Sequence, residues 1–264
     1  MKRVAILVIS ALNQPVYRHY VASYWTELIR HTDAHVSHID VFLLKERRQP
    51  SEPYQHVADH VIEDPRTNFD DLLDQRHQSA GVPSVLSKTL HALDVLAGQY
   101  DVFFRTNLSS MVKLGAFDQH VQSTDDIGYS GAWVWADALR ADLIRHRRVG
   151  PDRAVRSLDD LTDYPGNTFV SGAGFFLNSG EAQSLLEQRN TAPWSFPDDV
   201  AIGLMLERGV MIPGFAQLVQ PDRRIADTLQ QIETTTSAHI RLNYFPVERA
   251  QALWRFLERS RPWE

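Results

Sequence analysis

The sequence contains no cysteine, which excludes a disulfide framework and any thiolate metal site. It has no run approaching the roughly 20 consecutive apolar residues a helix needs to cross a bilayer. Basic residues do not outnumber acidic ones: 27 Lys and Arg against 33 Asp and Glu leave a formal charge of −6. That balance argues against a general nucleic-acid binder, whose phosphate contacts demand a basic surface. Also missing is a glycine-rich loop of the GxxxxGK[ST] or GxGxxG type after the first strand-like segment, which disfavours the common phosphate-loop classes. No low-complexity tract or Pro/Ser/Gly linker divides the 264 residues, and 43% hydrophobic content suffices for a sizeable core. One domain over residues 1–264 is expected.

What is present alternates between strand and helix patterns. Arg3 to Ile9 is too short an apolar run for a signal peptide and reads as a buried parallel strand. A turn rich in turn formers, Ser10 to Asn13, leads to a helix from about Val16 to His31, with Tyr20, Val21, Tyr24, Trp25 and Leu28 at helical spacing. A second strand from about Val36 to Leu44 gives way to a polar, loop-rich region past Arg66. A helix over Ser84 to Leu96 and a strand over Tyr100 to Ser110 follow. The alternation predicts an α/β fold, a mostly parallel sheet flanked by helices, with any ligand beyond the carboxyl ends of the strands. Ser10 and Asn13 are then candidate ligand contacts, and a plain loop is at least as good a reading of them.

The stretch from Tyr164 to Glu207 is the most unusual. Ser171-Gly172-Ala173-Gly174 interrupts an apolar strand with four small residues, as a close approach by a backbone or ligand requires. After a short amphipathic helix, Glu181 to Gln188, Asp198 and Asp199 place two carboxylates at the start of a helix running to Arg208, with Gly209 as its stop. Taken singly, the first piece reads as a crowded core strand and Asp198 as an N-cap.

Together with Lys88-Thr89-Leu90 and Arg105-Thr106, these pieces resemble inverting glycosyltransferases of the GT-A fold, of the β-1,3-galactosyltransferase and fringe type. Those enzymes carry an SGxG strand followed by an EDVxxG helix start, here Ser171 to Gly174 and Asp198-Asp199-Val200 with Gly203. Ahead of these, a helix with a KTL motif and a strand ending in Lys-Thr precede an acidic triplet. The resemblance covers about Val85 to Gly203 in order and spacing. It implies a GT-A-like, Rossmann-like domain with a nucleotide-binding half of about 1–110 and an acceptor and catalytic half of about 111–264.

The triplet itself departs from the family. Metal-dependent members end it with an aspartate on a divalent cation that bridges the donor diphosphate, because hard cations prefer carboxylate oxygen. Here it reads Asn107-Leu108-Ser109, and neutral oxygens hold such a cation poorly. Three consequences stay open: no metal, Mn²⁺ or Mg²⁺ held weakly through the diphosphate, or a silent site. A similar Arg-Thr strand end in viral rhamnosyltransferase domains favours the first two. Without metal, the charge that builds on the leaving diphosphate must be met by cations, and Lys88, Arg105, His239 and Arg241 are the candidates, beside Asn107 and Ser109. His239 sits where fringe-type enzymes place a histidine metal ligand; an ordinary surface histidine is an equal reading.

By the resemblance, Asp199 is the general base that deprotonates the acceptor hydroxyl, with Asp198 in place of the preceding glutamate. A helix N-terminus is expected to hold such a carboxylate ionised. The acceptor pocket would comprise Ser171, Gly172, Ala173, Gly174, Asp198 and Trp194, the last in a loop before the two aspartates. Tyr129, Trp133 and Trp135 are further aromatic candidates, with core packing the larger share for both tryptophans. A basic run from Arg140 to Arg156 reads as a solvated helix end or as a surface for an anionic acceptor. An apolar stripe of Val247, Ala250, Leu253, Trp254 and Leu257 reads first as a docked helix and second as a peripheral membrane contact.

The expectation is therefore a cytoplasmic transferase of the hexosyltransferase type, with the inner membrane face as a secondary location. It would move sugar from a UDP-linked donor to a glycan or glycolipid hydroxyl, as in polysaccharide biosynthesis. The alternative is a catalytically silent GT-A-like module binding carbohydrate or nucleotide.

Overall fold

Six successive apolar residues form the first strand, β1 (Val4–Ile9), and all are buried. A strand shows alternate side chains to opposite faces, so β1 feeds two cores: Val4, Ile6 and Val8 enter one, Ala5, Leu7 and Ile9 the other. Such a strand belongs inside a sheet covered by helices on both faces. That is its place in this computed structural model, which describes residues 1–10, 12, 15–68, 81–135, 168–194, 198–219 and 225–242.

Helix α1 (Pro15–Tyr20) continues through a π-helical turn (Val21–Trp25) into α2 (Thr26–His35). Next come β2 (Ile39–Arg47), a 3-10 segment (Glu52–His60) and β3 (Val61–Asn68). Helix α3 (Gly81–Val95) leads to β4 (Val102–Asn107), β5 (Ser110–Val112) and α4 (Leu114–Ser123). The short strands β6 (Ser130–Gly131), β7 (Val134–Trp135) and β8 (Phe169–Val170) precede β9 (Gly174–Asn178) and α5 (Ser179–Glu187). Helix α6 (Asp198–Leu206), β10 (Val210–Met211), β11 (Ala216–Val219), α7 (Ile225–Thr234) and β12 (His239–Leu242) complete the series.

The main sheet runs β10-β6-β9-β4-β1-β2-β3. Strand β1 is parallel to β2 and β4, β2 to β3, and β6 to β10, while β9 runs antiparallel between β4 and β6. Leu28 and Ile29 of α2 and Phe117 and Val121 of α4 cover one face; Leu86 and Leu90 of α3, Leu185 of α5 and Val200 of α6 cover the other. This is the expected mixed α/β class with a mostly parallel sheet. Between β3 and β4 the chain crosses from one side of β1 to the other, so the carboxyl ends of β1 and β4 flank a topological switch point, where ligands of such sheets bind. A second sheet, β11-β12-β5, lies next to that point: β12 pairs antiparallel with β5, which directly follows β4.

Three elements differ from the sequence reading. The first helical segment extends to His35 and contains a π turn, which aims Tyr24 and Trp25 at the β4–β5 connection: Trp25 Nε1 donates to the Leu108 carbonyl at 3.2 Å and Tyr24 OH to that of Val112 at 2.8 Å. The region past Leu44 is not merely loop; β3 forms there despite Pro65, because it is an edge strand, where a missing N–H is tolerated. Gly209 is not the stop of α6. Glu207 takes the left-handed conformation at φ 66° and ends the helix, while Gly209 packs so closely on Val170 that a methyl group there would lie 2.6 Å from Cγ2. Among the described residues, no helix is long and apolar enough to cross a membrane.

Candidate active site

Strand β4 alternates its last three side chains across the sheet. Arg105 falls on the α6 side, opposite Phe175 of β9 in register, and its guanidinium lies over that ring at 5.5 Å. Thr106 falls on the β12 side. Asn107, at the strand end, is partly exposed. Arg105 is only 2% exposed, and a buried guanidinium needs partners for its donors. Nη2 donates to Asp198 Oδ2 at 2.5 Å and Nη1 donates to the Gly172 carbonyl; Nε is buried with no partner among the described residues.

The small-residue run makes the bend before β9 that meets these groups. The Gly172 carbonyl accepts from Arg105 and from Asn107 Nδ2 at 2.8 Å, and the Gly172 amide donates to Asp199 Oδ2 at 3.0 Å. The Ala173 carbonyl accepts from Thr106 Oγ1 at 3.0 Å, and Ser171 closes the turn by accepting the Gly174 amide on its carbonyl. The close approach that the sequence implied is real at Gly174, where a methyl group would lie 2.7 Å from His239 Cε1 and 3.0 Å from Phe104 Cζ.

Asp198 and Asp199 occupy the first turn of α6 and are both partly exposed. Asp198 is held by Arg105. Asp199 accepts two backbone amides, from Gly172 on Oδ2 and from Val200 on Oδ1, the latter also at 3.0 Å. Those bonds and Arg105 favour the anion, but burial, aided by the Asp198 charge, outweighs them and raises the Asp199 carboxyl to about 6. Desolvation thus shifts Asp199 toward the neutral form against the helix dipole, but a carboxyl at about 6 is still mostly ionised near neutral pH.

His239 is fully enclosed, stacked with Phe215 and edge-on to Phe104. Burial, with the nearby Arg241 charge, lowers its imidazole to about 3, so it is neutral. Its Nε2 lies 3.1 Å from Thr106 Oγ1; since that hydroxyl donates to Ala173, the histidine must donate to it. Arg241, partly exposed, donates to Ser109 Oγ at 2.6 Å.

The sequence candidates thus converge in part. Arg105, Asn107, Gly172, Asp198 and Asp199 form one connected cluster, with Ala173, Gly174 and His239 adjoining it through Thr106. Burial corrects four of the proposed donor contacts. Lys88 is enclosed in an ion pair with Glu46, neither side chain exposed, and also meets the Ser10 carbonyl; burial pulls its ammonium below the usual range while Glu46 opposes that shift. Arg105 is committed to Asp198 and Gly172, and His239 carries no charge. Ser10 is buried too, its hydroxyl 2.5 Å from Tyr54 OH. Trp194 is partly exposed and packs its other side against the α3–α5–α6 core. Trp133 is partly exposed and accepts the Ser171 amide on its carbonyl. Asn13, the basic run 140–156 and the apolar stripe 247–257 lie outside the described residues, as does the side chain of Trp135.

Glu46 and Tyr54 escaped the sequence reading. Tyr129, an aromatic acceptor candidate in the sequence, is instead buried and accepts the Val170 amide at 2.8 Å, which steadies β8 beside the bend. No signal at Glu46 announced a buried partner for Lys88.

The residues do not fit a divalent cation. Asn107 and Ser109 offer neutral oxygens, Asp198 is tied to a guanidinium, and among the described residues no three His, Cys, Asp or Glu side chains converge.

No protein-family model and no curated protein matches the sequence. Among solved structures, the chain is similar to the bifunctional glycosyltransferase WbbM, over 91% of this chain but only 45% of that one, at 12% identity and a TM-score of 0.43. It is also similar to galactosyltransferase LgtC in complex with donor and acceptor sugar analogues, over 96% and 95% of the two chains at 12% identity and a TM-score of 0.42. A third likeness, over 95% and 98% at 12% identity and 0.43, is to a glycosyltransferase involved in glycosylation of the major capsid of PBCV-1. Likenesses this distant carry no argument about chemistry, which rests on the site itself.

Proposed function

We propose that the chain is an inverting glycosyltransferase that moves a sugar from a nucleotide-linked donor, UDP-linked by the sequence resemblance, to a hydroxyl of a glycan or glycolipid. The observation that supports this reading best is Asp199: a partly exposed carboxylate beside the switch-point crevice, fixed by two backbone amides and raised to about 6. A general base serves best when its pKa approaches the working pH. Asp199 takes the acceptor proton as the hydroxyl oxygen bonds to the anomeric carbon. The bond from that carbon to the phosphate oxygen breaks on the opposite side, and the nucleoside diphosphate leaves with the electron pair.

Arg241, the partly exposed cation that donates to Ser109, is the side chain that would meet the departing diphosphate. No step is assigned to a metal. The test is a thermal-shift screen of UDP-, GDP-, dTDP- and CMP-sugars, since a ligand of the folded state must raise the melting temperature. It is followed by NMR of the anomeric proton in the product formed with the donor that shifts. Inversion at that carbon is expected. No shift with any donor would instead favour a silent module, and retention would remove the single-base mechanism.

A further inference from the structure

The strand end that reads Arg105-Thr106-Asn107 is turned inward, onto the bend and the helix that carry Asp199, and not outward toward the crevice. Arg105 and Asn107 both donate to the Gly172 carbonyl, the Gly172 amide donates to Asp199, and Arg105 also holds Asp198, the immediate neighbour of Asp199. We propose that Arg105 and Asn107 are positioning residues that set the orientation and proton affinity of Asp199 by clamping Gly172 and neutralising Asp198. This rests on the reading of Asp199 as the base.

Two alternatives fare worse. A direct phosphate contact needs an accessible cation, and the Arg105 side chain is enclosed between Phe175 and α6. A purely structural salt bridge needs no second bond to Gly172, yet Arg105 and Asn107 converge on that one carbonyl from alternate positions of the same strand. Among the described residues, the groups facing Asp199 are Asp198 on its own helix, Arg105 from β4, and Tyr129, whose hydroxyl lies 3.4 Å from the Asp199 carbonyl. Of these, only Arg105 and Asp198 carry charge near neutrality. Removing Arg105 therefore acts twice on Asp199, deleting an attractive charge and exposing it to an uncompensated like charge.

The experiment uses the full chain labelled with carboxyl-carbon-13 aspartate, with the Asp199→Asn variant identifying the Asp199 resonance. Its titration midpoint is compared in wild type, Arg105→Gln, Arg105→Lys and Asn107→Ala. Arg105→Gln is expected to raise the midpoint by about one unit or more. Arg105→Lys, which keeps the charge but not the fork, is expected to leave it within a few tenths of a unit. Both Arg105 variants and Asn107→Ala are expected to lower kcat about tenfold or more, with donor KM within twofold of wild type. A Gln midpoint equal to wild type in a folded variant overturns the proposal, as does an Arg105 or Asn107 effect confined to donor KM. Because the titration is read without turnover, it reports on Arg105 even if the wild-type chain transfers nothing, and that second result would count against the base assignment and against positioning for catalysis together.

Discussion

Asp199 Oδ2 takes the amide of Gly172, and the carbonyl of that same glycine takes Arg105 and Asn107. One residue of the SGAG bend therefore joins the end of β4 to the start of α6, two elements more than 90 residues apart in sequence. A methyl group on Gly172 would lie 3.1 Å from Arg105 Nη1 and 3.3 Å from Asp199 Oδ2. The small side chain is what allows the three groups to close on one another.

The first expected outcome concerns Asp199→Asn. The amide oxygen can still accept from Gly172, so the fold and the crevice persist, but no group remains to take the acceptor proton. Transfer should fall about 10²–10⁴-fold with donor affinity unchanged. Activity within a fewfold of wild type would reduce Asp199 to a helix-start residue.

Stability should move the other way. A carboxyl raised from 3.8 to about 6 on folding binds its proton more tightly in the folded than in the unfolded chain. Its contribution therefore falls as pH rises from about 4 through 6 and is lowest above that. Asp199→Asn removes the penalty, and urea unfolding should show a gain of about 1–3 kcal/mol at pH 7.5 that vanishes near pH 4. An equal gain at both pH values would trace the effect to packing instead of charge.

Much of this architecture was legible in the chain. β1 and β4 announce themselves as apolar runs, α3 by its Leu spacing, and Asp198-Asp199 by standing at the head of a helical pattern. What could not be read depends on partners far away in sequence. Lys88 looks like a free cation until Glu46, 42 residues earlier, is brought onto the same face. His239 looks like a phosphate-binding cation until burial against Phe104 and Phe215, with Arg241 nearby, removes its charge. The upward shift at Asp199 has the same origin: burial that only the assembled bend and helix supply raises its carboxyl against the helix dipole.

The Lys88–Glu46 pair is fully buried, and Glu46 Oε2 has no partner among the described residues. Breaking such a pair from one side leaves an uncompensated charge, whereas removing both leaves little electrostatic cost. Lys88→Met should therefore destabilise by about 3–5 kcal/mol in urea unfolding, and adding Glu46→Leu should recover most of that loss. Additive losses in the double variant would mean that the two side chains are held by separate contacts.

Gly203 lies on the buried side of α6, where a methyl group would meet Phe169 Cβ at 2.3 Å and its Cα at 2.9 Å. Because the second of these is backbone, β8 cannot yield by a rotamer change, and Gly203→Ala should cost about 1–3 kcal/mol by overpacking. The strand it displaces leads through Val170 into the bend at Gly172, so the same variant should lower transfer as well as melting temperature. Loss of stability with full activity would show that the bend is positioned by Arg105 and Asn107 alone.

The last outcome concerns metal. With Asn107 and Ser109 neutral, Asp198 committed to Arg105 and His239 uncharged but enclosed, no described set of side chains can replace a divalent cation's usual carboxylate ligands. Transfer is therefore expected to persist within about twofold in excess EDTA, and the charge on the departing diphosphate must be met by fixed donors. Among the described residues, Arg241, partly exposed and braced on Ser109 Oγ, is the cation assigned that role. Arg241→Gln should cost about 10²-fold in kcat/KM, while His239→Gln should not make the enzyme more or less sensitive to EDTA. Abolition of transfer by EDTA, restored by Mn²⁺, would reverse this reading and require that the donor's own phosphates complete a metal site.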